Sequence, residues 1–156
     1  MSEISKKFEN IILIPCSGSE YHGELARQVA IHLAEKSKIS TFSWMTCSTI
    51  FLKNVLLGKN RIVEITKNHL RHSFILIING CRTACASAIY TNLEIVPDLV
   101  ISVQDIIPKQ RMNLNDLNAF KNTPKLSEIK AEDIDRVENS ILNKLHKLGL
   151  DIDNLN

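Results

Sequence analysis

The segment IILIPC (11–16) is an unbroken apolar run that stops at a Pro and a Ser-Gly-Ser turn, the pattern of a strand buried on both faces of a sheet. From Glu24 the period changes. Leu25, Val29, His32 and Leu33 fall on one helical face and Arg27, Glu35 and Lys36 on another, which predicts a first helix. KISTFSWM (38–45), rich in β-branched and aromatic residues, predicts a second strand ending just before Cys47. Apolar positions at helical spacing on either side of Gly58 predict one broken helix or two helices. SFILII (73–78) is a third, purely apolar strand, CASAIYTNL (85–93) a short helix, and PDLVISVQDI (97–106) a fourth strand with Pro97 at its entrance.

Strands alternating with helices of this length imply parallel βαβ units with helices on both faces. The expected fold is α/β: a small doubly wound, Rossmann-like parallel sheet of about four strands over residues 10–106, with flanking helices. After Pro108 the chain turns polar and Asn-rich. A final amphipathic helix, about 128–148, carries Ile134, Val137, Ile141, Leu145 and Leu148 on one stripe. Residues 107–156 are thus expected to be a polar loop and an added C-terminal helix packing on the same domain.

Composition narrows the function classes. With 156 residues, 44% hydrophobic and 23% charged, the chain has the balance of one globular domain able to bury a core without disulfides. Nineteen Lys and Arg against seventeen Asp and Glu leave +2, too small an excess to point to a nucleic-acid partner. The apolar run before Pro15 is too short for a membrane span or a signal core, so the expected compartment is the cytoplasm. There, four cysteines are expected to be reduced thiols, metal ligands or redox centres.

The cysteines share a position in the pattern. Cys16 ends the first strand, Cys47 follows the second, and Cys81 and Cys85 follow the third across Gly80. In an open parallel sheet the carboxyl ends of the strands form one edge, where ligands bind. Three loops therefore bring four thiols toward one place. Small free cysteines pack readily in cores, and that suffices for any one of them; it does not explain why all four follow strands.

These residues resemble the DGC domain family, small proteins expected to bind zinc and named for an Asp-Gly-Cys motif after a strand. The resemblance rests on CSG (16–18), TCS (46–48), NGCRTACA (79–86) and PDLVISVQDI (97–106), and runs from Ile11 to Ile106. It implies a metal ion as partner, with Cys16, Cys47, Cys81 and Cys85 as ligands. Two positions depart from the family pattern: Asn79 stands in place of Asp, and Arg82 where Pro is common. Asn at such a turn can do the hydrogen bonding of an Asp that only caps a loop.

Four thiolates suit zinc at about 2.3 Å in a closed tetrahedral site with no open position for an activated water. Such a site serves metal binding, sensing or handling. Cys-only ligation also suits an iron–sulfur cluster, and a metal-free pair of reactive thiols is a third possibility, either of which would make an enzyme of sulfur or redox chemistry. The turn CSGSEYHGE also resembles an anion-binding turn, but a phosphatase loop needs Arg where His22 stands. Ser17, Gly18 and Ser19, with Asn79, Gly80 and Asp105, are kept as a pocket rim. His22 reads as a solvated loop residue, and His69 and His72 as closing a helix.

Overall fold

In the computed structural model of the protein, the described residues are 10–16, 18, 20–36, 42–44, 54–108 and 128–150. Four strands form one sheet: β1 (Asn10–Pro15), β2 (Phe42–Trp44), β3 (Ser73–Asn79) and β4 (Leu99–Ser102). Their order is β2-β1-β3-β4, and every pairing is parallel, with Leu13 opposite Trp44 and Leu76, and Ile78 opposite Ile101. The helices are α1 (Tyr21–Lys36), α2 (Asn60–Leu70), α3 (Cys85–Asn92), the single turn α4 (Val103–Ile106) and α5 (Ala131–Lys147). Residues 54–56 are also helical, and the chain turns at Gly58, whose φ of +67° falls in the region that glycine enters without strain.

The apolar runs of β1 and β3 feed two cores. Ile11 and Leu13, with Phe74, Leu76 and Ile78, meet Leu25, Val29 and Leu33 of α1 and Val137, Ile141 and Leu145 of α5. The alternate residues Ile12, Ile14, Ile75 and Ile77 face the other way, onto Val63 and Leu70 of α2 and Ala86 and Tyr90 of α3. Since successive strand side chains point to opposite faces, a strand covered on both sides has no polar positions, which is why SFILII reads as unbroken. Each such side chain contributes about 1.5–3 kcal/mol by leaving water. Among the described residues no helix is long and apolar enough to cross a membrane.

The structure corrects two boundaries and the placement of one side chain. α1 begins at Tyr21, ahead of Glu24, so His22 and Gly23 are helical rather than part of a loop. β4 stops at Ser102, and the expected strand continues instead as the helical turn α4, which carries Asp105. His32, placed on the apolar face, has a side chain 42% exposed and donates from Nδ1 to Glu138 Oε1 at 2.7 Å.

Glu138 also accepts from Lys36 Nζ at 3.1 Å, so a nearly buried carboxylate clips α5 to α1. A second clip lies at the other end: the Tyr21 hydroxyl donates to Asp133 Oδ2 at 2.7 Å and accepts the Lys130 backbone N–H at 3.3 Å. Burial, and then the bond to Asp133, raise the Tyr21 pKa above the ordinary 10.0. A raised phenol pKa in the fold means that this contribution is complete below about pH 10 and is lost as pH rises through the folded value. Tyr21→Phe is expected to lower the unfolding free energy by about 1 kcal/mol in urea titrations at pH 7. An unchanged midpoint would mean that water replaces the clip without loss.

Candidate functional site

Cys16 follows β1 directly, and its N–H donates to Ile78 O at 2.8 Å, carrying the β1–β3 ladder one residue past the strand. Its Sγ accepts the Gly18 N–H at 3.3 Å. The side chain is half-buried against the core beneath α1. Cys81 follows β3 across Gly80 and is also half-buried; its carbonyl accepts the Ala84 N–H at 3.1 Å. That turn ends on Ala84 at φ +52°, and α3 starts at Cys85, whose side chain is exposed. The three thiols are free. Cys47, Ser17 and Ser19 lie outside the described residues.

Three glycines fix how closely the two loops approach. A Cβ on Gly80 would sit 2.7 Å from both Cα and N of Gly23, and one on Gly23 would sit 2.4 Å from Gly18 O. A Cβ on Gly18 would come within 3.4 Å of Cys16 Sγ. Contacts under 3 Å with backbone cannot be relieved by turning a side chain. Gly23 in the first turn of α1 is therefore clasped between the turn after β1 and the loop after β3, the segments that carry Cys16 and Cys81. Gly18 and Gly80 are rim residues expected from the sequence; Gly23 is not among them, although a Gly in a helical turn is itself a sign of close packing.

Residues 12–141 match the DGC domain. The chain belongs to the DGC domain family. No match was found among curated proteins or among solved structures. The DGC match runs beyond Ile106, where the sequence resemblance stopped, and takes in most of α5, the helix clipped to α1.

The two departures from the DGC pattern have visible partners. Asn79 is buried, donates from Nδ2 to Ser87 Oγ at 2.6 Å and accepts the Ser87 backbone N–H on Oδ1 at 3.4 Å. It caps the first turn of α3 from the end of β3, a task left open by Ala84, which makes no side-chain cap. The DGC carboxylate would find two donors in the same place, the Ser87 N–H and a turned Ser87 hydroxyl, at the end of a helix that favours negative charge. Asn79→Asp is expected to preserve the fold, whereas Asn79→Leu, which strands the Ser87 pair, is expected to cost about 2 kcal/mol; thermal unfolding of both variants checks this. Equal losses would show that the cap is not the reason for a polar residue here.

Arg82, at the second departure, donates from Nε to Asp105 Oδ1 at 3.3 Å, and its backbone N–H donates to Gln104 Oε1 at 3.1 Å. Asp105 thus ties the loop after β3 to α4. His22 differs from its expected solvated role: it is buried, and its Nε2 lies 2.7 Å from Ile107 O. A carbonyl accepts only, so Nε2 carries the proton. His69 and His72 are exposed near the end of α2.

The free thiols are donors of the kind that zinc takes. Among the described residues, however, no three of His, Cys, Asp and Glu are grouped closely enough to hold a metal ion. As they stand, Cys16, Cys81 and Cys85 are candidate ligands at the carboxyl edge of the DGC sheet and not an assembled ligand set.

Proposed function

We propose that the protein binds a metal ion, zinc, through Cys16, Cys47, Cys81 and Cys85, and serves metal binding, sensing or handling. The observation that carries this reading is the glycine clasp: it holds together the backbones that bear Cys16 and Cys81, although the two segments are far apart in sequence. The placement of α1 and α5 on one face and α2 and α3 on the other supports a doubly wound sheet of four strands, in which such an edge is the expected ligand site. Free thiols suit a reducing, cytoplasmic setting. Ligation on this reading draws the turn at Cys85 inward toward Cys81 and Cys16, so zinc binding orders the edge.

Exposure of Cys85 at the start of α3 favours the second reading, an iron–sulfur or reactive-thiol enzyme, because an exposed thiol is open to a reacting partner. Metal analysis after anaerobic purification separates the two. Colourless protein with about one zinc per chain is expected; brown protein absorbing near 400 nm points to a cluster, and metal-free protein that does not take up zinc overturns the proposal.

A further inference from the structure

Beside Cys81, between the loop after β3 and the end of β4, lies an open cavity of about 410 Å³ whose lining includes Arg82, Ser87, Val100, Ser102 and Asp105. Its hydrogen-bonding groups are unevenly used. The Ser102 Oγ is buried with no partner, a state that costs about 1–3 kcal/mol unless something fills it. Ser87 Oγ already accepts from Asn79 Nδ2, so the hydroxyl proton is left to donate. Arg82 meets Asp105 through Nε, and its terminal nitrogens pair with no described carboxylate. Two hydroxyls and a guanidinium fork make a donor-rich wall, which calls for an acceptor.

The size and charge of the cavity narrow the ligand. A volume of this order is typical of small-molecule sites rather than of a bare ion, and Val100 and Ala84 supply apolar lining. The charges at the mouth are one cation, Arg82, and one anion, Asp105. The two cancel, so a bound head adds its own charge to the lip, one negative charge for a carboxylate and two for a phosphate dianion, and the singly charged head is the less opposed. We propose that this cavity binds a small organic carboxylate, its head group taken by Arg82 with the Ser87 and Ser102 hydroxyls and its apolar stem laid along Val100. The proposal stands apart from the zinc reading, since of the four cysteines only Cys81 lines the cavity.

Titration of the full chain, as purified and again after chelation, with acetate, butanoate and hexanoate tests it. Affinity is expected to rise about threefold per added methylene, and hexanoate is expected to slow alkylation of Cys81 but not of the exposed Cys85 in peptide mass spectra. Arg82→Gln is expected to weaken hexanoate about tenfold and Ser102→Ala about fivefold. Asp105→Asn, by removing the competing carboxylate, is expected to strengthen it severalfold. That opposite sign is the decisive readout, because a merely structural ion pair would make both charge variants weaken binding. Hexanamide or hexyl phosphate binding as tightly as hexanoate, or an Arg82→Gln variant with unchanged affinity, overturns the proposal. Unchanged zinc uptake in the Cys81→Ser variant, with hexanoate binding retained, would count against the metal reading alone.

Discussion

Gly23→Ala is expected to destabilise the protein by about 2 kcal/mol, although the same change in an ordinary helix stabilises by about 1 kcal/mol. The added Cβ would stand 2.4 Å from Gly18 O and 2.8 Å from both Gly18 C and Cα, and none of these atoms belongs to a side chain that can turn away. Overpacking of this kind costs about 1–3 kcal/mol, enough to outweigh the helical gain. Because relief can come only by moving the turn after β1, zinc affinity is expected to fall at least tenfold on the proposed reading, with about 1.4 kcal/mol per factor of ten. Gly80→Ala presses on Gly23 from the other side and should act in the same direction. The two sites share one contact, so the double variant should lose less than the sum of the single losses. Urea midpoints and competition with a coloured zinc chelator supply both numbers. A stabilised Gly23→Ala with unchanged zinc affinity would show that the clasp yields freely and positions nothing.

Cys81→Ser and Cys85→Ser are expected to lower zinc affinity at least a hundredfold while leaving the protein folded. A lost thiolate removes a bond to the ion itself, a larger effect than the tenfold to hundredfold losses seen when groups behind the ligands are changed. The fold should persist because its two apolar cores lie beneath the helices and neither side chain belongs to them. Cys16→Ser should cost stability as well, since Cys16 packs against the core under α1. Circular dichroism with and without chelator checks the distinction. Cooperative unfolding on zinc removal would show that the ion is a structural clasp, as in small zinc modules that lack a core of their own.

The elements most legible in the sequence were those whose burial is complete. β1 and β3 have no exposed face, so their apolar runs identify them and place Cys16 and Cys81 at their ends. The start of α1 was hidden because Tyr21, His22 and Gly23 look like loop residues. Their roles are set by Asp133, Ile107 and Gly18, and no local pattern announces those partners. The sequence pattern overextends β4 because Val103 resumes the apolar run of Leu99, Val100 and Ile101 after Ser102, while its burial comes from the turn into α4. Among the site residues, the order of cysteines after strands was readable. The pairing of Arg82 with Asp105 was not, since it joins the loop after β3 to α4, whose approach depends on β3 lying beside β4.

The clips between α1 and α5 bear on how the protein is made. Tyr21 meets Asp133 across 112 residues of sequence and His32 meets Glu138 across 106. A ribosome emits the chain from its N-terminus, so α1 emerges long before the helix that shares its core. Until α5 arrives, the cover over Leu25, Val29 and Leu33 is incomplete, and the nascent chain presents a sticky face to chaperones and to its neighbours. Shortening the chain ahead of residue 131 should thus yield aggregated material rather than a smaller metal-binding unit, and the thiols of Cys16 and Cys81 would wait for zinc on a scaffold whose covering helix emerges long after them.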